Sequence, residues 1–563
     1  MCVLEERCLP TIAQTHPFPW NGSQLIFSTT LHIPFSIEIF NTNTVVPQDS
    51  RYVIERSGLL TPPELEITST IGARKILRRY EDGSWTCEAV VRAFCKRAAL
   101  ATQLINCCTE LMFEEALSQA RDLDRWYADT GEFVGPLHGI PLSLKDTHQV
   151  RGHDTTVGWV GNIGRPAPDD ELTVQQYRSL GAIVYCKTNI PQSLMMSDSY
   201  NHVWGQSVNA LRRELISGGS SGGEGALVGA RGSVLGIGTD IGGSIRIPAA
   251  LQGLYGLCPS VGRVPYRESA RDQKYIVRPV AGPMSNSLGS VELFMEAYAS
   301  LEPWTTDPTI LPLPWRRWLD EQIQEKECLR IGYIVDDGGV KPHPPIQRAV
   351  HDVVERLRQS GHDVVQWDAS GHVQAYYELW VRAVLADGGK RFESLCKMVD
   401  EPLIQGMLVG THETLLDHQE RMDLADAIWE YKRQYLDKWR ESGIDALIMP
   451  VTPWVGMRPK VWVKSQQYVG YTALWNLLDY SVLTMPVGNV DKVLDDPNTD
   501  EDWKSHAGST RGYPDEFNYN MYKELWDDGL VQGLPVNIQI VTGRFGEEKA
   551  VGVAKVLEKL GIV

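Results

Sequence analysis

The chain has 563 residues, 43% of them hydrophobic and 22% charged, so it can bury a large core and does not read as disordered. A formal net charge of −17, with no run rich in Lys and Arg, argues against a nucleic-acid-binding surface. Ten cysteines without a CxxC pair and 13 histidines without an HExxH motif exclude a disulfide framework and the common zinc motifs; they point to thiols in a cytoplasmic protein with no metal.

The N-terminus MCVLEERCLP carries acids where a secretory leader needs positive charge. The apolar stretch Gln24–Phe40 is broken by His32, Pro34 and Glu38, too short and too polar to span a bilayer. An irregular extension, strands tucked against the body and an interfacial anchor are its readings, and no obligatory membrane is expected. Residues 1–50 are thus an extension of unknown role before a single domain, 51–563.

From Thr61 the pattern turns helical, giving an N-terminal flank over 61–130. Thr68, Ser69 and Thr70 are placed to cap a helix carrying Ile71, Ile76, Leu77 and Tyr80. Thr86 caps a second, Cys87–Gln103, with Val90, Val91, Phe94 and Ala98 on one face. A third is expected from Thr109 to Tyr127. Over 131–300, the catalytic core, short apolar runs alternate with helices. Pro141–Lys145, Ala182–Cys186 and Val234–Asp240 read as buried strands; Leu172–Leu180 and Glu224–Ala230 read as helices. Leu329–Val335, Ala446–Pro450, Val482–Pro486 and Val536–Val541 continue the strands in a C-terminal α/β part. This alternation predicts one large α/β body with a covered sheet. Asp491–Pro514, acidic and rich in Asn, Gly and Pro, reads as a surface insertion.

The stretch Ile216–Ala250, ISGGSSGGEGALVGARGSVLGIGTDIGGSIRIPAA, frames an apolar helix and strand between two serine loops. Glycines around Ser220, Ser221 and Ser244 let backbone N–H groups converge, as a site for developing negative charge needs. A serine alcohol is a weak nucleophile and needs a base. Lys145, ending the apolar strand PLSLK, is a candidate, since desolvation lowers a lysine pKa. The competing reading is a solvated, inert strand-end lysine beside glycines that merely permit close packing. The glycines match neither GxxxxGK[ST] nor GxGxxG. GxSxG is satisfied twice, from Gly218 and from Gly219, but a nucleophile elbow also needs a carboxylate and a histidine, and His506 sits in no suggestive context.

Together the motifs resemble the amidase signature family. Gly139–Asp146 (GIPLSLKD), Lys187–Gln192 (KTNIPQ), GGSSGGEGAL and GTDIGGSIRIP carry the likeness, with GLYGLCPSVGRVP, GPMSNSLGSVELF, NLLDYSVLTMPVG and GLPVNIQIV downstream. It runs from about Ser57 to the C-terminus and is nearest the fungal acetamidase and general amidase branch. The resemblance implies a mixed sheet with helices on both faces, and hydrolysis of an amide to acid and amine through an acyl-enzyme. It assigns Ser244 as nucleophile, Ser220 as a bridging residue after a cis peptide bond, and Lys145 as base. The amides of Ile241, Gly242, Gly243 and Ser244 would form the oxyanion hole, with Ser221, Asp240 and Arg246 in support. Met195, Met196, Gly218 and Gly219 are candidates for substrate contact, and Tyr200 and Trp204 for the pocket wall. A small-molecule amide, no cofactor and a homodimer are the family-level expectations.

Four departures stand out: Ser217 where proline is usual, Asn209–Ala210 for Asn-Pro, Cys258 for a basic residue, and Ser481 for proline. Other readings are the glutaminase subunit of an amidotransferase, a long-chain fatty acid amide hydrolase, and a degenerate binding protein on the same fold.

Overall fold

The computed structural model describes residues 48–266, 276–462, 467–508 and 510–562. Nearly all of the N-terminal extension, with Gln24–Phe40, Cys2 and Cys8, lies outside the described residues.

In chain order the strands are β1 (Cys108–Leu111), β2 (Pro141–Lys145), β3 (Ile183–Thr188), the small hairpin β4 (Tyr200–Asn201) and β5 (Gly205–Gln206), β6 (Leu235–Asp240), β7 (Tyr255–Cys258) and β8 (Val280–Ser285). They continue with β9 (Arg330–Tyr333), β10 (Asp363–Gln366), β11 (Ala446–Pro450), β12 (Val482–Asn489) and β13 (Pro535–Val541). All but the hairpin form one eleven-stranded sheet, ordered β1-β3-β2-β6-β8-β7-β12-β13-β11-β9-β10. β2 runs parallel to β3 and β6, and β9 parallel to β10 and β11, while the β6–β8 and β12–β13 pairs are antiparallel. The sheet is mixed.

Every residue of β2, β3, β6, β7, β8 and β11 is buried. Side chains alternate between the two faces of a strand, so burial at every position means that both faces are covered. The helix Gly222–Gly229 lies against the centre of the sheet. Its approach depends on glycine: a Cβ on Gly223 would stand 2.3 Å from the Asn189 amide nitrogen and 2.5 Å from the Cys107 carbonyl.

Thr86 caps its helix as expected, accepting from the Ala89 amide at 3.1 Å; the helix runs Cys87–Ile105. Two expectations are corrected. Thr68, Ser69 and Thr70 start no helix: Thr68 and Ser69 close a helix, Pro62–Ser69, that begins in a capping box at Thr61 and Glu64, Thr70 is its C-cap, and the next helix starts at Ala73 after Gly72. The third helix begins at Phe113, because Cys108–Leu111 pairs antiparallel with β3 as an edge strand. The segment 491–514 is also more than surface. Val493 and Leu494 are exposed, but Trp503 is buried against His343 and Tyr522.

Candidate active site

Pleating puts Ser143 and Lys145 on one face of β2 and Leu142 and Leu144 on the other. Parallel pairing with β6, Leu144 opposite Ile237, then brings Lys145 beside Thr239. Lys145 is completely buried. Its Nζ lies 2.8 Å from Ser220 Oγ, 2.8 Å from Thr239 Oγ1 and 3.4 Å from the Thr239 carbonyl. A solvated strand-end lysine is therefore ruled out. The Gly219–Ser220 peptide is cis. Ser221 ties the two serine loops together: its amide donates to the Ser244 carbonyl at 3.2 Å, and its hydroxyl donates to the Thr239 carbonyl at 3.3 Å while accepting from the Thr239 amide at 3.2 Å.

Ser244 stands in the loop between β6 and the helix Arg246–Gln252. The carboxylate of Asp240 organises that loop, accepting from the amides of Gly243 at 2.7 Å and Ile245 at 3.0 Å. Arg246 closes on it at 2.9 Å, and Asn476 Nδ2 donates to it at 3.0 Å. Burial alone would raise the Asp240 pKa, but the Arg246 charge and these donors outweigh it and hold the group at about 2. Arg246 in turn donates to the Thr472 carbonyl at 3.0 Å and to Asn476 Oδ1 at 2.6 Å. Among the four candidate oxyanion donors, Gly243 is thus already engaged. The amides of Ile241, Gly242 and Ser244 have no acceptor among the described residues. The carbonyls of this turn are held from outside: Trp380 Nε1 donates to Ile241 O at 3.0 Å, and Thr472 Oγ1 to Gly242 O at 2.5 Å.

Ser244, Gly219, Ile241 and Gly242 open onto a narrow cleft. Leu194, Met195, Met196, Ile247, Trp380, Leu408 and Val469 make its walls apolar, with Ser197 and Gln467 as the polar side chains beside Ser244. Met195, Met196 and Gly219 therefore line it as expected. Gly218 does not; its Cβ position lies 2.7 Å from Pro248 Cα, so this glycine serves packing. Tyr200 and Trp204 are likewise not wall residues. Tyr200 packs on the cluster of Met196, Ile404 and Trp462, and the Trp204 indole donates to Thr156 Oγ1 at 3.1 Å.

The remaining motifs have structural partners. Lys187 pairs with Asp146 at 2.7 Å, both completely buried. Gln192 Nε2 donates to Glu401 at 2.6 Å, and Gln192 Oε1 accepts from the Ile404 amide at 2.8 Å, which anchors the chain leading to Leu408. The departures are accommodated as well. Ser217 Oγ donates to the Ser207 carbonyl at 3.3 Å, and Asn209 Nδ2 to the Leu251 carbonyl at 2.8 Å. Cys258 is buried beside Asn476, and Ser481 Oγ accepts from the Gly546 amide at 3.1 Å. Sequence reading missed Thr239, Trp380, Thr472 and Asn476. Thr239 lay inside the quoted GTDIGGS motif and could have been found there; the others come from distant segments.

The sequence profile of the Amidase family matches residues 89–551. Acetamidase of Emericella nidulans is 37% identical over 519 residues, covering 90% of this chain and 92% of its own length. Acetamidase of Aspergillus oryzae is 36% identical over the same span. Among solved structures, a fatty acid amide hydrolase superposes with a TM-score of 0.83 at 33% identity, covering 95% of this chain and 92% of that one. No helix among the described residues is long and apolar enough to cross a membrane.

Proposed function

The chain belongs to the amidase family, and we propose that it hydrolyses small uncharged amides through an acyl-enzyme on Ser244. The observation that carries this reading is the 2.8 Å contact between a fully buried Lys145 and Ser220. A neutral amine has two N–H bonds and one lone pair. Thr239 Oγ1 and the Thr239 carbonyl can accept the two protons, which leaves the lone pair for the Ser220 hydroxyl.

Lys145 takes the Ser220 proton as Ser220 takes that of Ser244, and Ser244 Oγ forms a bond to the amide carbonyl carbon. The negative charge that develops on the carbonyl oxygen is met by the unengaged amides of Ile241, Gly242 and Ser244. Lys145 returns its proton through Ser220 to the departing nitrogen as the C–N bond breaks. Water then cleaves the acyl-enzyme by the same relay. Asp240, held ionised by Arg246, keeps the loop in the geometry this needs.

The cleft supports the substrate class. None of the described residues lining it is charged, so the ammonium and carboxylate of free glutamine would be buried without partners. This favours a self-sufficient amidase over a glutaminase subunit. Cytosolic residence is part of the same proposal, supported by the free thiols from Cys87 to Cys396. The test is a panel of acetamide, an aryl amide, a long-chain amide and glutamine, run with wild type and Ser244→Ala. Acetamide turnover lost in the variant supports the proposal. Preference for glutamine, or full turnover by Ser244→Ala, overturns it.

A further inference from the structure

Glu224 lies in the first turn of the helix Gly222–Gly229 and is completely buried. Its Oε2 accepts from Ser143 Oγ at 2.6 Å and its Oε1 from Thr188 Oγ1 at 2.8 Å. Both partners set it beneath Lys145. Ser143 precedes Lys145 by two on β2 and so shares its face, and Thr188 is the β3 residue in register with Lys145. β6 makes room for the carboxyl with Gly236, whose Cβ position would fall 2.1 Å from Glu224 Oε2.

The surroundings can satisfy either charge form. A protonated carboxyl donates to Ser143, which donates to Ser233 at 3.0 Å, which donates to the Leu235 carbonyl at 2.9 Å. An ionised carboxylate accepts from Ser143 instead, with Ser233 unchanged. The catalytic relay makes no use of this group.

We propose that Glu224 is a positioning residue for the reaction, its carboxylate compensating the ammonium that Lys145 becomes on taking the Ser220 proton. A lone cation in an apolar interior is unfavourable, and an opposite charge packed against the same face of β2 offsets that cost as the proton arrives. Burial pushes Glu224 up to about 8, against the pull of the Ser143 and Thr188 hydroxyls and the Lys145 charge. The group is therefore poised to change charge where the base must work. Among the described residues the Cys186 thiol of β3 also faces it, and burial pushes that thiol up. Asp146 and Lys187, beyond Lys145, cancel each other. Lys145 and Glu224 thus titrate as a pair, and the amine is free only after the pair has lost its second proton.

The inference rests on Lys145 as the base, and its test is the pH profile of kcat/KM for acetamide in wild type and Glu224→Gln. Without the carboxylate the ammonium is less favoured, so the midpoint of the acid limb falls by about one pH unit and the plateau by about tenfold. A purely structural role would lower the plateau and leave the midpoint in place. An unmoved or raised midpoint in Glu224→Gln overturns the inference while leaving the base assignment intact. Should that variant not fold, Ser143→Ala is read in its place, because losing a donor to the carboxylate makes the second proton of the pair harder to remove and raises the midpoint; an unmoved or lowered midpoint there overturns the inference equally. A wild-type profile with no acid limb defeats the base assignment, and this inference with it.

Discussion

The indole of Trp380 donates to the carbonyl of Ile241 across 139 positions of sequence, at 3.0 Å, and its ring edge occupies the space a side chain on Gly242 would need. One contact thus orients the turn that leads to Ser244 and closes one wall of the cleft.

A Cβ on Gly242 would stand 2.5 Å from Trp380 Cζ2, so Gly242→Ala must displace either the indole or the turn. Overpacking of this kind costs about 1–3 kcal/mol, and here it falls on the amides proposed as oxyanion donors. Gly242→Ala is expected to lower kcat for acetamide at least about tenfold. Trp380→Ala is expected to open the cleft, raising kcat/KM for hexanamide relative to acetamide by about tenfold or more. Measuring both amides with each variant checks the two roles.

Asp240 and Arg246 form a fully buried pair, and removing one partner leaves the other charge uncompensated. Such losses cost about 3–5 kcal/mol. Arg246→Ala is expected to lower the apparent melting temperature and abolish turnover together. The pH dependence has a definite sign. A carboxyl held at about 2 in the folded state contributes stability that is complete above the unfolded value and disappears as pH falls. Wild type should therefore lose about 2 kcal/mol from this group between about pH 4 and pH 2, and Asp240→Asn should lose less over that window. Melting curves across it measure the difference.

Much of this site was legible in the chain. The run PLSLK places a lone cation at the end of an apolar strand, and two glycine-flanked serine loops frame the helix and strand that follow it. What the sequence could not give was closure from afar. Trp380, Thr472 and Asn476 reach the Asp240–Ser244 turn from helices 139, 230 and 236 positions away in sequence, and nothing local to them reports it. The oxyanion loop was read as four equivalent amides because the engagement of Gly243 by Asp240 depends on backbone geometry. β1 was lost for a different reason. Four residues are too few to show a period of two against the helical pattern that follows, and only pairing with β3 makes them a strand.

Thr239 touches Lys145 through both its hydroxyl and its carbonyl. Thr239→Val removes the hydroxyl but keeps the shape and the carbonyl, so the amine loses one of the contacts that orient its lone pair. A fall in kcat of about tenfold, with little change in melting temperature, is expected; Thr239→Ser should restore most of the rate. Lys145→Ala should fall much further, by about a thousandfold or more, since members of the relay act as a unit. Single-turnover rates with the three variants rank these effects.

The most direct test of a covalent route is to find the acyl group. Trypsin separates the two serine loops, leaving Ser220 in the peptide 214–231 and Ser244 in the peptide 232–246. Wild-type enzyme quenched early in its reaction with an activated acetyl ester, then digested and sequenced by tandem mass spectrometry, should carry acetyl on Ser244, and Ser244→Ala should carry none. Acetyl on Ser220, or a label in 232–246 that survives in Ser244→Ala, would contradict the account.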